Sequence, residues 1–126
     1  MSQTETNNNF TTIYLVRHGE THGNVNRIID GHLNLDLTEN GEAQAVALAA
    51  HLEDVHFDAA YSSDLIRAHK TAKAVAAQKQ LVVNTTELLR ERYFSKLEGT
   101  TYDEYIKINE HLFKDLQAMT LESYFT

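Results

Sequence analysis

Three residues that suit phosphate chemistry follow a short apolar run near the start of the chain. The run covers residues 13–16, and Arg17, His18 and Gly19 come directly after it. A guanidinium offers a rigid fork of N–H donors that matches phosphate oxygens, and a neutral imidazole can attack phosphorus to give a phosphohistidine. Glycine lets the backbone turn sharply and approach a ligand closely. The pattern therefore predicts a phosphoryl-transfer site at this point of the chain.

Two further blocks offer groups that such a reaction needs. Ser62 and Ser63 end an apolar run, and Arg67 follows in the first turn of a predicted helix, whose N-terminus attracts anions. Arg67 could instead pair with Asp64 on the surface, which would contribute little to stability. Farther along lies Arg-Glu-Arg at residues 90–92. A carboxyl group near a phosphate and shielded from water could donate a proton to a leaving alkoxide, but this triplet is, taken alone, typical of an exposed turn.

The elements that must position these residues alternate between strand and helix, which predicts a parallel sheet with packed helices. Three apolar runs predict strands, at residues 10–17, 57–61 and 81–83. The first should be buried on both faces. Because ligands bind at the carboxyl ends of such strands, we expect Arg17 and Ser62 to lie at one site.

Helices are expected after three groups of capping residues: Thr38, Ser63 or Asp64, and Thr101 with Glu104. In the first of these helices, apolar spacing favours one buried face, made of Ala43, Val46, Ala47 and Ala50. Glycine, asparagine and aspartate recur within residues 20–36, which predicts a long loop. His22 and His32 lie in that loop, and we expect both to be exposed.

The motif Arg-His-Gly-Glu-Thr at residues 17–21 resembles the signature of the histidine phosphatase superfamily, which includes the cofactor-dependent phosphoglycerate mutases. The resemblance covers about residues 13–104 and includes Ser-Ser-Asp-Leu at residues 62–65. It implies an α/β fold, a three-layer sandwich with a mostly parallel sheet and helices on both faces. It implies that His18 is the nucleophile and Glu91 the proton donor, with no metal and no cofactor. The implied substrate-binding residues are Arg17, Asn24, Arg27, Gly31 and Arg67.

The resemblance ends before a second histidine of the family, which usually follows a later strand within Ser-His-Gly. This chain has no such motif, and its only histidine after Glu91 is His111, inside a helical pattern. The fold therefore looks incomplete at its C-terminus. We expect a disordered polar tail over residues 1–9, and over residues 10–126 the N-terminal part of a single histidine phosphatase domain.

The resemblance favours a phosphomonoester hydrolase that works through a phosphohistidine on His18. A phosphoglycerate mutase is one alternative, and a catalytically impaired module or fragment that binds a phospho-ligand is another. The motif Leu-Glu-Gly at residues 97–99 favours the phosphatase. A metal hydrolase fits poorly, because the histidines lack the spacing of metal ligands.

Composition limits the partners. The chain has 126 residues, 42% of them hydrophobic and 23% charged, which suits one globular domain. Its net charge of −7 argues against a nucleic-acid partner, and no apolar run is long enough to span a membrane. We expect a phosphorylated small-molecule substrate and, since the chain has no cysteine, a cytoplasmic protein. In so short a chain the first strand would have an unpaired edge, which predicts a homo-oligomer.

Overall fold

The protein has an α/β fold in which a parallel sheet packs with helices, as the sequence predicts. A computed structural model describes residues 10–112 and Lys114, so the predicted tail over residues 1–9 lies outside the described residues. The helices are α1 (His22–Val25), α2 (Glu39–His51), α3 (Ile66–Gln78) and α4 (Tyr102–Ile108). The strands are β1 (Ala60–Ser62) and β2 (Val83–Thr85), and two single 3-10 turns cover Glu87–Leu89 and Ser95–Leu97. Over this part of the chain, the helices are too short or too polar to cross a membrane.

The two strands pair in parallel, and α3 is the connection that crosses between them. Ala60 lies opposite Val83 and Ser62 opposite Thr85, and the amide of Thr86 extends the pairing with a hydrogen bond to the Ser62 carbonyl at 3.0 Å. Both strands begin two to three residues later than their apolar runs. The carboxyl ends of β1 and β2 therefore reach the same edge, directly before the residues of the predicted site.

The predicted first strand is not a strand in the structure. Residues 10–17 pair with no other strand of the described part, and their apolar side chains are exposed, Leu15 to 96% and Ile13 to 81%. The ring of Tyr14 meets the edge of Phe57, with ring centroids 5.2 Å apart. A strand buried on both faces needs a neighbour at its edge and a layer on each face, and residues 10–112 supply too few of these.

Helix α2 begins at Thr38 as predicted, but it buries a different face. The Thr38 hydroxyl accepts the amide hydrogen of Gly41 at 3.0 Å. The buried residues are Gly41, Ala45 and Ala49, whereas the four residues expected on the buried face are exposed. Small residues four apart let α2 lie close to α3. In a helix this rich in alanine, apolar spacing alone does not decide which face packs.

Local hydrogen bonds organise the region that was predicted as one long loop. Helix α1 forms within it, because the Thr21 and Asn24 side chains make a capping box. Farther on, the loop pairs with the chain before α4: Ile29 donates to the Thr100 carbonyl at 2.9 Å, and Gly99 donates to the Ile29 carbonyl at 3.0 Å. The predicted capping box of Thr101 and Glu104 is present at the start of α4. Residues 20–36 are therefore held in place by side chains and by a distant segment.

Candidate active site

His18 has one ring nitrogen engaged and one available. Its Nδ1 lies 2.7 Å from the Gly19 carbonyl oxygen. A carbonyl only accepts, so Nδ1 bears the hydrogen and Nε2 keeps its lone pair in the neutral ring. Burial lowers the pKa of His18, the hydrogen bond to the Gly19 carbonyl opposes that shift, and the charges of Arg67 and Arg17 lower the pKa further. His18 is therefore suited to be a neutral nucleophile.

The backbone after His18 is fixed from α3. The amide of Gly19 donates to the Thr71 hydroxyl at 3.0 Å, and that hydroxyl donates to the Arg67 carbonyl one helical turn earlier at 2.8 Å. Thr71 is buried. The sequence reasoning gave Thr71 no role, although its position four residues after Arg67 could have indicated one.

The same backbone is fixed from α2 on its other side. The amide of Thr38 donates to the Glu20 carbonyl at 2.9 Å, and the Gln44 side chain accepts from the Glu20 amide at 2.8 Å. The segments around Gly19 and Gly41 approach so closely that a Cβ on Gly19 would lie 2.4 Å from the Gly41 carbonyl oxygen. His18 therefore sits on a turn that is held between α2 and α3.

Arg67 is buried and bonds the loop at residues 31–33 rather than Asp64. Its Nη1 donates to the Leu33 carbonyl at 2.6 Å, and its Nη2 donates to the Gly31 carbonyl at 2.8 Å. Asp64 instead pairs with Arg90, whose Nε lies 2.7 Å from Oδ1 of Asp64. A guanidinium has five N–H donors, so three remain beyond the two bonds that Arg67 makes within the described residues. Arg67 can thus shape the loop and still donate to a ligand.

A cavity of about 1750 Å³ joins most of the predicted site residues. Its polar side is lined by Arg17, His18, Asn24, Gly31, Arg67 and Glu91. Its apolar side extends along α2 and α3 and past residues 10–17, the segment that forms no strand. Arg27 lies apart from this lining; its side chain is exposed and reaches Asp103 at 3.4 Å. Six of the seven predicted residues therefore line this one cavity.

The side chain of Asn24 is oriented by its cap. Its Oδ1 accepts the Thr21 amide hydrogen at 3.0 Å, so its NH₂ group is left for another acceptor. Near Asn24 lies Asp30, which is not among the predicted site residues. One oxygen of Asp30 accepts from the Thr21 hydroxyl at 3.0 Å, and its buried Oδ1 has no hydrogen-bond partner among the described residues. The negative charge of Asp30 opposes the lowering of the His18 pKa.

The Glu91 side chain is exposed, and its backbone is bound by His32. Its Oε1 accepts the Arg92 amide hydrogen at 2.6 Å. Its carbonyl accepts from Nε2 of His32 at 2.8 Å, and the His32 ring packs on Tyr93 with centroids 5.1 Å apart. The prediction that His32 is exposed is therefore wrong, because the ring is half-buried between these groups, whereas His22 is exposed as expected.

Comparison with known proteins decides the family. Residues 13–124 match the family model of the histidine phosphatase superfamily, branch 1. The chain belongs to this superfamily. The resemblance seen in the motifs is thereby confirmed.

Relatives in this superfamily include phosphatases and mutase-like proteins. The chain is 40% identical over 107 residues to phosphoglycerate mutase-like protein 4 of Arabidopsis thaliana, covering 83% of this chain and 46% of that protein. It is 36% identical over 102 residues to a broad-specificity phosphatase of Saccharomyces cerevisiae, covering 77% and 44%. The solved structure of Bacillus stearothermophilus YhfR superposes with a TM-score of 0.72 at 36% identity, covering 79% of this chain and 50% of that one. The chain thus spans about half the length of these relatives.

Proposed function

We propose that this chain belongs to a phosphomonoester hydrolase that works through a phosphohistidine on His18. The observation that carries the proposal is the state of the imidazole. Its Nδ1 is bound to the Gly19 carbonyl, its pKa is lowered by burial, and it lines the same cavity as Arg67. A neutral ring with a free Nε2 beside a cation suits attack on a phosphate.

The reaction has two steps. Nε2 of His18 forms a bond to phosphorus while the bond from phosphorus to the ester oxygen breaks, and Glu91 gives its proton to the leaving alkoxide. Water then attacks the phosphohistidine and releases inorganic phosphate, while the Glu91 carboxylate takes up the proton of that water. In this proposal Arg17, Asn24 and Arg67 donate to the phosphate oxygens.

The remaining two predicted residues, Gly31 and Arg27, have different roles in this proposal. Gly31 has a left-handed backbone, with φ of 49°, and its carbonyl is one of the two that accept from Arg67. Arg27 also has a left-handed φ, of 54°, and its carbonyl accepts from the amide of Tyr102 at 2.8 Å. Because the Arg27 side chain is exposed and lies apart from the cavity lining, we propose that it meets the distal part of a substrate, outside the phosphate pocket.

Two observations bear on whether the phosphoryl group passes to water or to a second substrate. Glu91 is exposed, so water can reach the acid, which favours water as the acceptor. The Leu-Glu-Gly motif is a weaker guide than its sequence suggested, because Glu98 binds backbone amides. A phosphoglycerate mutase, which uses the same phosphoenzyme, stays the alternative activity.

The decisive experiment traps the phosphoenzyme. The chain is mixed with a ³²P-labelled aryl phosphate and quenched in base, and the protein is then tested for label that acid removes. We expect label on the wild type and none on H18A, although multiple turnover by this chain alone should be near background. Label that persists in H18A would refute the assignment. Orthovanadate binding without any label would favour the non-catalytic phospho-ligand module.

We also propose that residues 10–16 pair with the same segment of a second copy. Leu15 and Ile13 are exposed on a segment whose backbone finds no strand partner in the described part, and an unpaired edge favours symmetric pairing. Sedimentation equilibrium should show a dimer that L15K disrupts. V82K is the control, because Val82 is 82% exposed at a different place. A wild-type monomer, or equal effects of both variants, would contradict the pairing.

A phosphorylated small molecule is the proposed substrate, and the cytoplasm is the proposed location. The cations of the cavity, Arg17 and Arg67 among them, suit a small anion despite the net charge of −7. Cell fractionation with an antibody to the chain tests the location. Recovery of the protein in a membrane or secreted fraction would contradict it.

A further inference from the structure

Glu98 joins two loops of the candidate site, although it has no part in the proposed chemistry. Its Oε1 accepts the amide hydrogen of His32 at 2.8 Å and that of Phe94 at 3.2 Å. The first amide belongs to the loop that Arg67 holds, and the second to the segment that follows Glu91. One carboxylate oxygen therefore bridges segments more than sixty residues apart in sequence.

The backbone around this oxygen is shaped to admit it. Gly31 has a φ of 49°, and a Cβ at that position would lie 2.3 Å from Oε1 of Glu98. Gly99 follows with its own left-handed φ of 83°, and its amide bonds the Ile29 carbonyl at 3.0 Å. Because a side chain on Gly31 would displace the carboxylate, the glycine and the glutamate form one structural unit.

A continuous set of hydrogen bonds links this unit to both functional groups. On one side, the Gly31 carbonyl accepts from Arg67 at 2.8 Å. On the other side, Nε2 of His32 donates to the Glu91 carbonyl at 2.8 Å. Glu98 holds the residue between these two bonds, since it binds the amide of His32.

We propose that Glu98 is a positioning residue that sets the place of Glu91 relative to the phosphate-binding loop. The proposal rests on the proposed function, because it assumes that Glu91 donates the proton. Glu98 does not touch the substrate. It acts through the amides of His32 and Phe94, and a displacement of the acid by about 1 Å is enough to cost about 10²-fold in rate.

Three variants separate positioning from general stability. E98A removes the acceptor, and E98Q keeps an acceptor oxygen at the same place without the charge. E104A is the matched control, since Glu104 also accepts a backbone amide, that of Thr101 at 2.7 Å, but at the start of α4. If E98A fails to fold, E98D replaces it, because aspartate keeps the charge and withdraws the oxygen from both amides.

The first measurement is amide hydrogen exchange by NMR, which needs no activity. E98A should speed exchange at His32 and Phe94 by at least about tenfold, as expected for loss of a hydrogen bond to a charged acceptor. E98Q should have a smaller effect, and E104A should change exchange at Thr101 only. Unchanged exchange at His32 and Phe94 in E98A would refute the bridge.

The second measurement is the rate at which His18 is labelled by two phosphate esters. E98A should slow labelling from an alkyl phosphate by about 10²-fold, and much less from an activated aryl phosphate, which needs little proton donation. E98Q should restore most of the rate. Equal losses with both esters would refute positioning of Glu91. If wild-type His18 takes no label from either ester, the proposed function fails, and the bridge is judged by hydrogen exchange alone.

Discussion

Replacement of Arg67 by alanine tests whether this buried cation organises the site. Arg67 is 4% exposed and donates to the carbonyls of Gly31 and Leu33 at 2.8 and 2.6 Å. Hydrogen bonds that involve a charged group contribute about 1.5–3 kcal/mol each, so the two together contribute about 3–6 kcal/mol. Burial of a cation without a carboxylate partner costs part of this. We therefore expect R67A to lower the free energy of unfolding by about 2–4 kcal/mol.

R67K separates the charge from the geometry of the guanidinium. Lysine keeps the positive charge but presents its donors at a single nitrogen, whereas the two carbonyls are met by different nitrogens of Arg67. One of the two bonds should therefore be lost. We expect R67K to lower the free energy of unfolding by about 1–2 kcal/mol, roughly half the effect of alanine.

Urea denaturation followed by circular dichroism measures both variants. In a domain of this size, each kcal/mol shifts the melting temperature by about 3–6 °C, so thermal melts provide a second readout. R17A is the control: Arg17 is exposed, and an exposed substitution should change stability by no more than about 0.5 kcal/mol. If R67A and R17A were equally stable, the view that Arg67 holds the loop would be wrong.

Three further predictions concern the proposed proton donor, the packing of α2 and the pH dependence of His18. E91Q should slow labelling of His18 from an alkyl phosphate by about 10²–10⁴-fold and from an activated aryl phosphate far less; equal losses would count against the acid role. G41A should lower the free energy of unfolding by about 1–3 kcal/mol, because its Cβ would lie 2.0 Å from the Glu20 carbonyl oxygen, and N40A is the exposed control in a urea melt. The lowered pKa of His18 means that the folded state favours the neutral ring. With an activated aryl phosphate, which needs little proton donation, the labelling rate should thus be flat above pH 6.5 and decline only below it. Stability should fall as pH drops through 6.5, less so in H18A. An acid limb above pH 6.5 would contradict this.

The residue types around the phosphate site could be predicted because their chemistry is local. His18, Arg67 and Asn24 are found beside one cavity, as their motifs indicated. The sequence could not show which groups accept the hydrogen bonds of Arg67, since the acceptors are carbonyls of a loop more than thirty residues away. The exposure of Glu91 agrees with what the Arg-Glu-Arg triplet, taken alone, indicates, whereas the order of the motifs indicates only its role.

The first strand shows the opposite limit. Residues 13–16 have the apolar pattern of a buried strand, yet Leu15 is 96% exposed. An apolar run records that a segment is able to be buried, while pairing requires a neighbour at the right distance. The described residues offer β1 and β2 as a two-stranded sheet, and neither pairs with this segment. Composition along one segment holds no information about whether such a neighbour exists.

The polar half of the cavity depends on different forces from the apolar half. Gly19 is tied to Thr71, Gly31 to Arg67 and His32 to Glu98, each through a backbone group and one side chain. Every partner in these bonds lies within the described residues, so the geometry proposed to bind phosphate does not require the first strand to be paired. The apolar half is stabilised when apolar surfaces pack against each other and are removed from water. Here the faces of α2 and α3 line an open cavity instead. The proposed recognition of a phosphate therefore does not depend on complete packing of the apolar half.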